Sequence, residues 1–117
     1  HIHTHDRAAG FLELERARIR WFLSINGDTL PQETREKGQR TFRSLSIEGE
    51  DYDFSGGFTE IHTMSYEKIL QGEGFGIADS RAAIDIIHRI RHEEPVGLKG
   101  DYHPMAGLAA GKHPFHK

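Results

Sequence analysis

The run Ala17-Arg-Ile-Arg-Trp21 alternates apolar and polar residues with a period of two, inside a longer stretch, Phe11 to Ile25, that holds no glycine or proline. A period of two is the repeat of a β-strand, whose successive side chains point to opposite faces. It does not fit the 3.6-residue repeat of an amphipathic helix. This stretch therefore commits the chain to a sheet. Odd positions carry Phe11, Ala17, Ile19, Trp21, Leu23 and Ile25. Even positions carry Leu12, Leu14, Arg16, Arg18, Arg20 and Phe22. The two ends are apolar on both faces, which in one continuous strand means cover from both sides. The expectation is a long strand with helices on one face and another domain or subunit on the other.

The flanking segments complete an order of elements. His1-Ile-His-Thr-His5 alternates and reads as a short strand, which Asp6 to Gly10 interrupts. Asn26 to Gly38 is polar, contains Gly27 and Pro31, and reads as a loop. Arg40 to Ile47 alternates again, Glu48-Gly49 is a tight-turn signal, and Tyr52 and Phe54 then alternate with Asp51 and Asp53. That is a β-hairpin. After Ser55-Gly56-Gly57 the period changes to that of a helix. Over Phe58 to Gln71, Phe58, Ile61, Ser65 and Ile69 share a stripe, with Thr59 as a cap and Gly72 as the stop. A second helix follows, capped by Asp79 or Ser80, with Ala83, Ile86, Ile87 and Ile90 as its buried stripe, and Pro95 ends it. Residues 96–117 have no apolar period and form an extended tail that must lie on something to be ordered. Strands first and helices after imply an α+β fold: a mostly antiparallel open sheet with two C-terminal helices packed on one face. The division expected is residues 1–95 as a partial C-terminal α/β domain and 96–117 as its tail.

Composition narrows the function. At 117 residues one domain is expected, burying roughly two-thirds of its unfolded surface. Fifteen basic and eighteen acidic residues give a net charge of -3, which supplies no basic face for nucleic acid. No apolar run approaches the roughly 20 residues of a membrane span. There is no cysteine, so disulfides and thiolate metal sites are excluded. A cytoplasmic protein with no nucleic-acid or membrane partner is expected.

Three motifs could carry chemistry. His1, His3 and His5 would share one strand face as a chelating array, but no carboxylate stands beside them at ligand spacing, so no metal site is assigned. Gly72-Glu-Gly-Phe-Gly76 superficially resembles a phosphate loop. A dinucleotide fingerprint needs a strand before it, and here a helix is expected there. His62 and Tyr66 lie one helical turn apart with Thr63 between them, and all three can hydrogen-bond.

Longer runs are more specific. Gly10 to Asn26 resembles a segment of the Gfo/Idh/MocA oxidoreductases. So do Gly57 to Thr63, Tyr66, Ile69-Leu70, Gly72, Gly74 to Ile77, Ala83-Ile84, His88 to Arg91 and Leu98 to Pro104. Within that family these runs are most similar to the UDP-N-acetylglucosaminuronate 3-dehydrogenases of the WlbA/WbpB type. The resemblance implies a two-domain parent enzyme, with NAD in an N-terminal Rossmann domain and a C-terminal domain that forms the floor of the sugar site. It also implies a homo-oligomer, dimer or tetramer, built through the open face of the sheet. The reaction implied is oxidation of the C3 hydroxyl of a UDP-linked N-acetylhexosaminuronic acid. The family's nucleotide turn, its catalytic lysine and its catalytic histidine all precede the matched region. No catalytic and no cofactor-binding residue is therefore expected in this sequence. The sugar contacts expected are His62, Thr63, Tyr66, Asp101, Tyr102 and His103. A stand-alone assembly module that reuses the same sheet is the alternative, and the upstream coding sequence separates the two.

Overall fold

The computed structural model describes residues 1–56 and 59–108. The described chain divides into two units. The first joins His1–Arg40 to the segment that starts at Glu93. The second is Thr41–His92.

The first unit is built on a three-stranded antiparallel sheet in the order β1 (Ile2–His3), β2 (Arg7–Glu13) and β3 (Arg18–Ser24). The interruption expected over Asp6 to Gly10 is mostly strand, the first half of β2, and the long strand expected over Phe11 to Ile25 is in fact two strands and a turn. The chain reverses through Leu14 to Ala17, where the Leu14 N–H donates to the Ala17 carbonyl at 2.9 Å. An unbroken strand over that stretch would run about 50 Å at roughly 3.3 Å per residue, longer than strands usually reach. Register across the turn pairs Glu13 with Arg18, Leu12 with Ile19, Gly10 with Trp21 and Ala8 with Leu23. Directly paired residues share a face, so even positions of β2 join odd positions of β3. This inversion of parity puts Leu12, Ile19, Trp21 and Leu23 on one face. It removes much of the two-sided apolar character that a single strand would have had. Glu13 and Arg18 close the turn with an exposed ion pair at 3.3 Å.

Trp21 lies flat over Gly10. A Cβ on Gly10 would stand 2.5 Å from Trp21 Cζ2 and 2.6 Å from Cε2. No side chain larger than hydrogen fits there without moving the indole.

Asn26 to Gly38 is more than a loop. It holds a 3-10 turn, Gly27–Thr29, and a one-turn helix, α1 (Gln32–Glu36). One turn contains too few apolar positions to show a period, which is why the sequence hides it. A polar knot ties this segment to the start of β2. Asn26 Nδ2 donates to Asp6 Oδ2 at 2.9 Å, the Ile25 N–H donates to the Asp6 carbonyl at 3.0 Å, and Thr29 Oγ1 donates to the Asn26 carbonyl at 2.7 Å. Asp6, Asn26, Thr29 and Thr34 are all buried, whereas Ala9 and Ala106 are the buried hydrophobics among the described residues.

The tail lies on this sheet. The Gly97 N–H donates to the His1 carbonyl at 3.0 Å. Arg7 donates from a guanidinium nitrogen to the Leu108 carbonyl at 2.9 Å. The segment ends in a 3-10 turn, Pro104–Gly107.

The second unit starts with the expected hairpin, β4 (Ser44–Ile47) and β5 (Glu50–Asp53), paired antiparallel from Ser44 with Asp53 to Ile47 with Glu50. Both turn residues have positive φ, Glu48 at 52° and Gly49 at 89°, as the tight hairpin turns that match strand twist require. The described strands therefore form two antiparallel sheets rather than one. Helix α2 (Ile61–Leu70) starts later than the expected Phe58, which lies outside the described residues. Its first-turn cap position is Glu60, without a side-chain bond, so Thr59 does not cap it. Gly72, at φ 76°, ends the helix as expected. The Gly72 N–H reaches the Ile69 carbonyl and the Glu73 N–H the Lys68 carbonyl, the paired bonds of a left-handed helix stop. Helix α3 (Ile77–His92) starts two residues ahead of the expected cap. Asp79 instead reaches back from inside the first turn to accept from the Gly76 N–H at 2.7 Å.

The stripes read as buried are not buried. Ile61, Ile69, Ala83 and Ile87 are exposed, and Ile86 and Ile90 are half-buried. The described chain thus exposes helix faces whose spacing is that of core-facing helices. The combination of antiparallel sheets and helices is an α+β fold.

Candidate functional site

The tail brings three expected site residues onto one face of the first unit. His103 stacks on Phe22 of β3, ring centroids 5.9 Å apart and planes 22° from parallel. Its Nδ1 accepts from the Met105 N–H at 3.2 Å and so caps the 3-10 turn, which requires that nitrogen to be unprotonated. Burial, and then the positive charge of Arg20, hold the His103 imidazole below its ordinary pKa. Cap and charge environment agree on a neutral ring. Tyr102 meets the His1 ring edge-on at a centroid distance of 6.0 Å. Asp101 pairs with Arg20 at 3.3 Å, both side chains more than half exposed.

His1 joins this cluster. Its ring nitrogens lie 2.9 Å from the Gly97 carbonyl and 3.2 Å from the Asp101 carbonyl. The ring thus latches the tail to the first strand, and His3 and His5 are not drawn into a chelating array with it. Among the described residues no group of three histidine, aspartate or glutamate side chains could hold a metal.

His62, Thr63 and Tyr66 lie on α2 in the second unit, and all three are exposed. Histidine and tyrosine occupy successive turns of the helix, as their spacing implied. His113 and His116 lie outside the described residues.

Arg20 and His1 escaped the sequence reading as site neighbours. Arg20 counted only as the polar half of an alternation, and His1 as part of a histidine run. The signal that pairs them with the tail is a separation of 80 residues or more, which no local pattern encodes.

Gly72 to Gly76 follows α2, not a strand. A dinucleotide turn needs the strand to aim the loop and the following helix at a pyrophosphate. These residues do not fit NAD.

Together, the antiparallel sheet, the tail laid across it and the polar cluster define an α+β module. No family model matches the chain. Solved structures do, and two of them make the relationship particular. One is a WlbA (WbpB) dehydrogenase from Thermus thermophilus in complex with NAD and UDP-GlcNAcA. It is 42% identical over 89% of this chain and 34% of that chain, with a TM-score of 0.81. The other is the WlbA (WbpB) dehydrogenase from Thermus thermophilus with NAD and α-ketoglutarate. It is 43% identical over 87% of this chain and 31% of that one, at a TM-score of 0.75. The resemblance drawn from the residues is borne out. The chain is similar to part of these dehydrogenases and spans about a third of their length.

Proposed function

We propose that this chain is the sheet-bearing part of an NAD-dependent dehydrogenase that oxidises the C3 hydroxyl of a UDP-linked N-acetylhexosaminuronic acid. The observation that carries the reading is the 42% identity, over 89% of the chain, to a dehydrogenase whose structure holds NAD and UDP-GlcNAcA. The chain's own part is to contact the sugar and to assemble subunits. Hydride and proton transfer belong to residues outside this sequence. Asp101, Tyr102 and His103 form one set of sugar contacts, offering a carboxylate, a phenol and a neutral imidazole on one surface. His62, Thr63 and Tyr66 form a separate set on α2, where their exposure leaves every polar group available.

Assembly is supported by the apolar face of the sheet. Leu23 is 67% exposed and Ile25 72%. Soluble monomers rarely leave large contiguous apolar patches in water. A homo-oligomer, dimer or tetramer, would cover this one. Among the described residues no helix is long and apolar enough to cross a membrane.

The test is kinetic, in an enzyme that carries this sequence together with a cofactor domain. Tyr66→Phe and His103→Ala should raise KM for UDP-GlcNAcA and spare kcat. Loss of a hydrogen bond to bound sugar costs about 1–3 kcal/mol, or roughly 5- to 150-fold. Unchanged KM in both folded variants would remove the sugar contacts from the reading.

A further inference from the structure

Three arginines stand on the sheet face that the tail crosses. Arg7 pairs with Ser24 in register, and Arg18 and Arg20 flank the even positions of β3. They differ in what holds them. Arg7 is largely buried, with its guanidinium bonded to the Leu108 carbonyl and beside Asp6. Arg18 sits at the hairpin end against Glu13. Arg20 alone of the three reaches the tail cluster, through Asp101 at 3.3 Å, two residues along β3 from the Phe22 that carries His103.

The Arg20–Asp101 pair is open to solvent, with side chains 53% and 58% exposed. Exposed pairs of this kind add little stability, because water and salt screen them and two long side chains must be held in place. A second carboxylate can therefore replace Asp101 on the guanidinium at small cost. Guanidinium is also the side chain best matched to carboxylates, through two parallel N–H donors. The two similar dehydrogenases hold UDP-GlcNAcA and α-ketoglutarate beside NAD, and both of those molecules carry carboxylates.

We infer that Arg20 reads the carboxylate of the uronic acid, with Asp101 as the counter-ion that positions the guanidinium until the ligand arrives. This rests on the proposed sugar site and assigns it a specificity-determining residue. Tyr102 and His103 contact groups common to acidic and neutral sugars. Arg20 separates the two.

The experiment compares UDP-GlcNAcA with UDP-GlcNAc, which replaces the carboxylate by a hydroxymethyl group. Titrations of an enzyme that carries this chain together with a cofactor domain are followed by NMR at the His103 ring and Tyr102, in the parent sequence, Arg20→Met and Arg20→Lys. In the parent the acidic sugar should bind about tenfold more tightly, the scale of one charge-assisted hydrogen bond. Arg20→Met should bring the ratio close to one without weakening the neutral sugar. Arg20→Lys, which keeps the charge and loses the fork, should restore part of the preference. An unchanged ratio in Arg20→Met, with both sugars still shifting His103 and Tyr102, would overturn the role of Arg20 and leave the sugar site standing. If neither sugar shifts either residue in the parent, the site itself fails and the role of Arg20 falls with it. A preserved Phe22–His103 stacking signature in each variant excludes misfolding as the cause.

Discussion

Gly10→Ala tests the packing at the centre of the three-stranded sheet. The added methyl would lie 2.5 Å from Trp21 Cζ2, 2.6 Å from Cε2 and 2.7 Å from Nε1. Carbon atoms in contact settle at about 3.5–4.0 Å, so the indole or the backbone must move by roughly 1 Å. Neither moves freely, because Trp21 is paired with Gly10 in the middle of the β2–β3 ladder. Overpacking of this kind costs about 1–3 kcal/mol. Against it stands a gain of about 0.4–1 kcal/mol, because alanine has fewer unfolded conformations than glycine. The net expectation is destabilisation by about 0.5–2.5 kcal/mol, or a lowering of Tm by roughly 2–20 °C for a domain of this size. Thermal unfolding by circular dichroism and urea unfolding by tryptophan fluorescence measure it. The companion variant Trp21→Leu removes the ring, and in that background Gly10→Ala should cost close to nothing. A stable Gly10→Ala, or the same cost with and without the indole, would refute the close approach of ring and glycine as the reason for the glycine.

Other expectations concern charge, turn geometry and assembly. Hydrogen bonds from Asn26 and then Thr4 hold the Asp6 carboxyl down to about 2, against an ordinary value of 3.8. Its contribution to stability is therefore complete above the ordinary value and lost as pH falls toward about 2. The stability gap between the parent and Asp6→Asn should close over that window in acid-unfolding curves, and a constant gap would contradict it. His103 is held below the ordinary histidine value by burial and by Arg20, so its contribution is present when the ring is neutral and falls as pH drops below that value. Arg20→Met should raise the His103 midpoint in an NMR titration, and a midpoint that stays put or falls would remove Arg20 as a cause. Glu48 occupies a left-handed conformation, φ 52°, which costs an ordinary side chain about 1–2 kcal/mol. Glu48→Asn should recover about 0.5–1 kcal/mol of this, since asparagine tolerates that region, and unchanged urea midpoints would argue otherwise. Leu23→Asp on the apolar sheet face should lower the association state seen by sedimentation at tens of micromolar. A parent that already sediments as a monomer would sink the proposed interface.

Much of the local structure was legible in the residue order because it is set by local chemistry. Alternation identified β3 and the β4–β5 hairpin but not the first half of β2, Glu48-Gly49 marked the hairpin turn, and Gly72 marked the end of α2, since each depends on side-chain direction or on a single backbone angle. Histidine and tyrosine at positions 62 and 66 had to share a helix face for the same reason. The break at Leu14 to Ala17 was less legible. Its only marks are the change of phase across Glu15-Arg16, from apolar even positions at Leu12 and Leu14 to apolar odd positions at Ala17, Ile19 and Trp21, and the length limit on strands. The burial expected for Ile61, Ile69, Ala83 and Ile87 came from spacing, which tells which residues share a stripe but not whether anything covers that stripe.

What tertiary structure alone decided is the meeting of residues distant along the chain. Arg20 with Asp101, Phe22 with His103 and His1 with Gly97 join the first quarter of the sequence to its last. No period or cap connects them, because the tail carries no repeat and is held by contacts to the sheet. The physical reason is the reach of the interactions. Strand, turn and cap depend on neighbours a few residues away, whereas an ion pair or a stacked ring depends on whichever surface the rest of the fold brings within a few ångströms.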